Sequence, residues 1–243
     1  MHTAQRAQYL QALGIDAWVP RTTVLRAEVV PAPVPTDRVE VEVPVPGLDE
    51  AVLLRSWQEL EAEVRTCTRC ALHRTRTQSV FGVGDPRAQW LVIGEAPGAE
   101  EDRQGQPFVG RAGQLLDAML RAIGLARGRN LYIANILKSR PPGNRDPKPE
   151  EVASCLPYLQ RQIALIRPVL ILAVGRIAAQ TLLASDLPLG RLRGRVHHFG
   201  QLNTPLVVTY HPAYLLRTPA DKRKAWEDLK FARSVFRGLV MEK

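Results

Sequence analysis

Gln89-Trp90-Leu91-Val92-Ile93-Gly94-Glu95-Ala96-Pro97-Gly98 runs from an unbroken apolar segment straight into a glycine–proline turn. A short apolar run bounded by turn residues reads as a strand buried on both faces, as in parallel sheets. Three more follow: Leu131–Leu137 (LYIANIL), Val169–Val174 (VLILAV) and Leu206–Tyr210 (LVVTY). Helical patterns at Ala112–Ile123, Pro149–Ile166, Gly175–Leu183 and Asp221–Val240 alternate with them. This alternation predicts an α/β fold, a three-layer α/β/α arrangement around a central four-stranded, mostly parallel sheet. Pro168 and Pro205 stand just before strands, where a missing N–H costs little.

In an open α/β sheet, ligands bind outside the carboxyl ends of the strands. Three stretches reach that edge: Gly94–Gly98, Asn135, and His211-Pro212-Ala213-Tyr214-Leu215-Leu216-Arg217. A turn of backbone amides, a carboxamide and an imidazole meeting there suit a flat, polar heterocycle such as a base. Taken singly, each residue also has a structural reading. Asn135 could brace a turn, His211 could open a helix, and Phe108 could be core packing. As a wedge, Leu215 and Leu216 could enter a base stack while Arg217 holds phosphate.

With 243 residues, the chain can hold one well-buried domain plus an appendage, or two small domains. Its net charge of +9 favours a polyanionic partner, nucleic acid first. Aromatic residues make up only 6%, which fits one or two rings in a pocket better than an extended stacking platform. There is no run of about 18 apolar residues, so no membrane span is expected. Met1–Arg6 lacks the apolar core of a signal peptide, and a cytoplasmic protein is expected.

The chain divides into residues 1–21, a small amphipathic unit; residues 22–48, a proline-rich linker; and a domain over 49–243. Asp49 can cap a helix carrying Val52, Leu53, Trp57, Leu60 and Val64 on one face. That helix ends at Cys67-Thr68-Arg69-Cys70, a C-x-x-C pair outside any βαβ pattern. With Cys155 the cysteine count is odd, which argues against a disulfide framework and makes a metal or iron–sulfur site the better functional reading.

From Cys67 to about Phe236 the chain resembles the family 4 uracil-DNA glycosylases, the iron–sulfur type of bacteria and archaea. The resemblance rests on GEAPGAEED at Gly94–Asp102, G.PFVGRAG at Gly105–Gly113, ANILK.RPPGNRDP at Ala134–Pro147, and HPAYLLR at His211–Arg217. It implies that backbone around Glu95 and Ala96 contacts uracil, that Phe108 stacks on it and that Asn135 reads its edge. His211 would stabilise charge on O2 of the leaving base. Other branches place an aspartate where Ala96 stands, so the water-activating group is Glu95, Glu101 or neither. Arg140, Leu215, Leu216 and Arg217 are the expected DNA contacts.

The resemblance also implies a 4Fe-4S cluster on four cysteines. Cys67, Cys70 and Cys155 match three of them, and Ser139 stands where the fourth is expected. Ser139, His73 or water on the fourth iron, a labile or three-iron cluster, and no cluster are the alternatives.

Residues 6–21 are similar to the opening peptide of the psi subunit of the DNA polymerase III clamp loader, which binds the chi subunit. Tyr9, Leu10, Leu13, Ile15 and Trp18 are the apolar members that would dock. Two functions are therefore expected. The first is a uracil-DNA glycosylase tethered to the replisome. The second is a non-enzymatic psi-like subunit that keeps the glycosylase fold and binds chi.

Overall fold

The structure, a computed structural model, describes Val52, residues 54–200 and residues 202–241. The expected partner peptide with Tyr9, Leu10, Leu13, Ile15 and Trp18, the linker over 22–48 and the Asp49 cap lie outside the described residues.

Helix α1 (Trp57–Thr66) is started by Ser56. The Ser56 hydroxyl accepts the Glu59 N–H, and the Glu59 carboxylate accepts the Ser56 N–H at 2.8 Å. This reciprocal cap satisfies two orphan donors and sets the helix start. Then come β1 (Val83–Gly84), β2 (Trp90–Gly94), α2 (Ala99–Gln104), α3 (Arg111–Ala122), β3 (Leu131–Asn135) and α4 (Pro149–Ile166). The remainder is β4 (Leu170–Val174), α5 (Arg176–Leu183), α6 (Leu189–Leu192), β5 (His197–Phe199), β6 (Thr204–Thr209), α7 (Pro212–Arg217) and α8 (Lys222–Met241).

The sheet order is β1-β3-β2-β4-β6-β5. The four expected strands make its parallel centre, and β1 and β5 pair antiparallel at the two edges. These edge strands add to the four that were expected. At two and three residues of mixed burial, they carry no apolar run to read.

Alternation along the central strands divides the core into two layers. Leu91, Ile93, Ala134, Ile171 and Ala173 face α4 and α5, meeting Leu159, Ile163 and Ala178. Trp90, Val92, Ile133, Leu172 and Val207 face α3 and α8, meeting Leu116, Leu120 and Leu229. All five residues of β4 are fully buried, as expected for the middle of a sheet covered on both sides. α8 is tied to β6 by a buried network in which Asp228 accepts from Thr209 Oγ1 at 2.9 Å and from Arg193 Nε at 2.7 Å.

Candidate active site

Asn135 closes β3 directly opposite Gly94, the last residue of β2. By alternation it continues the row Leu131–Ile133 toward the α3 and α8 layer, where an apolar side chain would be expected. It is buried, and its Oδ1 is the buried side-chain oxygen or nitrogen without a hydrogen-bond partner among the described residues. Gly94 makes room for it. A Cβ there would lie 2.5 Å from Asn135 Oδ1 and 2.5 Å from Phe108 Cζ. Carboxamide and phenyl ring therefore converge on one bare backbone position.

His211 joins them from β6. Its ring centroid is 5.6 Å from that of Phe108, with the planes 35° apart. Gly175, just past β4, permits this placement, since a Cβ on it would come within 2.9 Å of His211 Cβ. The His211 Nδ1 accepts the Ala213 N–H at 3.2 Å and so caps α7. A backbone N–H can only donate, so the neutral ring carries its proton on Nε2. Burial, reinforced by Arg217 and opposed by Glu101, drives the His211 pKa down to about 4. The ring is neutral at physiological pH and offers Nε2–H as a donor.

The Phe108 loop is held by two charged clamps. Phe108 has a left-handed φ of 55°, which is strained for a bulky residue. Glu101 accepts from Val109 N–H at 2.9 Å, Gly110 N–H at 3.0 Å and Gly98 N–H at 3.1 Å. Arg127 donates to the carbonyls of Pro107 and Phe108 and pairs with Asp117 at 2.7 Å. Gly113 lets this carbonyl sit against α3, because a Cβ there would overlap it. Arg127, Gly113 and Gly175 were not among the residues expected from sequence. Gly175 had a signal in that it ends a buried strand on the ligand edge, as Gly94 does. Arg127 had none.

Glu95 lies in the turn after β2, half-buried. Burial first, then the nearby Asp146, raise its pKa to about 7, with Arg176 opposing. Ala96 follows it and packs against the core layer of α4 and α5. The Arg140 guanidinium donates to Asn144 Oδ1 at 2.7 Å. The wedge needs correction: Leu215 is only 1% exposed, because the first turns of α7 press it inward, and it is not available to enter a base stack. Leu216, at 38% exposed, and Arg217 face outward.

The cysteines lie at the junction of α1, α4 and the loop after β3. Cys155 is buried and Cys70 partly so; the two thiols share a hydrogen bond that holds Cys155 above its usual pKa and draws Cys70 below it. Cys67 Sγ instead accepts from Tyr158 Oη at 3.3 Å. The expected fourth position, Ser139, is buried, and its Oγ accepts from Arg76 Nη1 at 2.8 Å. Among the described residues no three His, Cys, Asp or Glu side chains come together in a way that could hold a metal ion. The donor set does not fit a four-iron cluster, which takes four soft thiolates. No described helix is long and apolar enough to cross a membrane.

Residues 81–230 match the family described as the uracil DNA glycosylase superfamily. The chain is 43% identical over 183 residues to a type-4 uracil-DNA glycosylase of Archaeoglobus fulgidus, covering 73% of this chain and 92% of that protein. It is 41% identical over 175 residues to one of Thermotoga maritima, covering 70% and 90%. A type-5 uracil-DNA glycosylase of Thermus thermophilus is 36% identical over 119 residues, covering 43% and 54%. With motifs, fold and strand-end pocket in agreement, the chain belongs to the uracil-DNA glycosylase superfamily and, within it, to the type-4 uracil-DNA glycosylases.

Proposed function

We propose that this protein extrudes uracil from DNA and hydrolyses its N-glycosidic bond. The observation that carries the reading is the unpaired Asn135 Oδ1, buried between Gly94 and Phe108. An unmet buried acceptor costs about 1–3 kcal/mol, and a ligand donor relieves it. The N3–H of uracil is such a donor, and the Asn135 amide N–H meets O4. Cytosine would set an acceptor against Oδ1 and a donor against the amide, and is rejected on both counts.

Phe108 stacks on the extruded base. His211 Nε2–H points to O2, where charge develops as the bond breaks, and one such donor is worth about 3 kcal/mol. Glu95, with a pKa near neutrality, takes the proton from the attacking water. Glu101 acts as a positioning residue, since its carboxylate is committed to three backbone amides. Leu216 fills the space the base leaves, with Arg217 and Arg140 on phosphate. The partner is DNA and the location cytoplasmic. The N-terminal peptide tethers the enzyme to a chi-like subunit, and a pull-down lost on Trp18→Ala tests that tether.

The deciding experiment is incubation with uracil-containing single-stranded DNA. Abasic sites should form, and His211→Ala should cut the rate by about 10²–10³-fold. No product above that variant would overturn the enzymatic reading and leave a non-enzymatic, psi-like subunit.

A further inference from the structure

The cysteine corner poses a separate question: what joins α1 to the sheet domain in this chain. Three contacts do so without any ligand. Arg76 Nη1 donates to Ser139 Oγ at 2.8 Å, while its Nη2 donates to the carbonyls of Cys67 at 2.9 Å and Arg65 at 3.2 Å. One guanidinium thus ties the end of α1 to the loop after β3. The Tyr158 hydroxyl, on α4, reaches both Glu63 at 3.1 Å and Cys67 Sγ at 3.3 Å. Beneath them Leu60 and Val64 of α1 pack with Phe81 and Tyr158 in a small core of their own.

We propose that this protein carries no iron–sulfur cluster and that Arg76 clamps the corner where a cluster would otherwise sit. A serine hydroxyl is a hard, protonated donor, unlike the soft thiolates that select iron–sulfur clusters. At Ser139 it is buried and already engaged by a cation. Cys67 is turned to Tyr158 rather than to the Cys70–Cys155 pair. A cavity of about 260 Å³ opens beside Cys70, but neither Cys67 nor Cys155 lines it; Arg145, Lys148 and Glu151 do. A guanidinium spanning two carbonyls and a hydroxyl makes charge-assisted bonds, which are stronger than neutral ones and hold a fixed geometry.

The test uses the full chain, purified anaerobically from iron-replete cells. Iron content, absorbance near 400 nm and thermal unfolding are read, none of which depends on uracil excision. The expected protein is colourless, holds well under one iron per chain, and unfolds at the same temperature with or without an iron chelator. Arg76→Ala should lower its Tm by about 5 °C or more. If that variant fails to fold, Ser139→Ala, which removes only the Oγ acceptor, should lower it by about 2 °C. Brown protein with about three or four irons per chain, lost in Cys155→Ser, would overturn the proposal. So would clamp variants as stable as the parent.

Discussion

Asn135 and Ser139 stand four positions apart in the same segment, one in the pocket and one in the cysteine corner, and they treat their polar atoms in opposite ways. Asn135 Oδ1 is buried and unpaired. Ser139 Oγ is equally buried and bonded to Arg76. Between them Lys138 is sealed inside the protein, its Nζ donating to Gln162 Oε1 at 2.6 Å and to the Asn135 carbonyl at 3.0 Å; burial brings its pKa down to about 7. A ligand site keeps an unmet group at a cost in stability, whereas a scaffold joint meets every group internally. By that criterion the pocket at Asn135 awaits a partner and the cysteine corner does not.

The largest effect that would sharpen this contrast is at Asn135. Asn135→Leu keeps the branching at Cγ and removes the orphan acceptor. Excision should fall by about 10³-fold, because uracil loses its edge contact, while Tm rises by about 2–5 °C. A variant that loses stability would show that Oδ1 is satisfied in the free protein, and the contrast would fail.

Next is Glu95. As a base it must be ionised, so the rate should climb as pH rises through about 7 and level off above it. Glu95→Gln should cost about 10²-fold and abolish that rise. Its folded pKa lies above that of an ordinary exposed glutamate, so its contribution to stability is present at low pH and lost as pH rises through about 7. The Gln variant should therefore gain in Tm relative to the parent at pH 8 and not at pH 4. A parallel pH profile in the two proteins would remove Glu95 from the mechanism.

Arg127 comes third. Arg127→Ala frees the carbonyls of Pro107 and Phe108 and should let the strained loop relax. Excision should drop about 10-fold, chiefly through KM, with partial rescue by added guanidinium. The smallest effect is expected at the cysteine corner, where Cys67→Ser should change kcat by less than about two-fold. A loss there comparable to that at Asn135 would erase the distinction between the two regions.

Much of the fold was legible in order. The four apolar runs became the parallel centre, and α4 spans the residues its pattern predicted, Pro149–Ile166. Leu215 misled because an apolar residue on a loop of functional residues looks the same in sequence whether it points out or in. Its neighbour Leu216 is the one that faces solvent. In the acidic run after Gly94, Asp102 is buried and accepts the Thr77 N–H at 2.9 Å, a long-range pairing that no local pattern shows.

The sequence by itself determined the α/β architecture, the edge on which the site lies and the residue types that meet there. Apolar periodicity and turn residues act over a few neighbouring positions, and one chain displays them. Only the tertiary structure decided which polar atoms are left unmet. Ser139 and its partner Arg76 are 63 residues apart, and Arg127 reaches back 19 residues to Phe108. Hydrogen-bond partners of that kind are chosen by how helices pack on the sheet, a long-range property that no local pattern encodes.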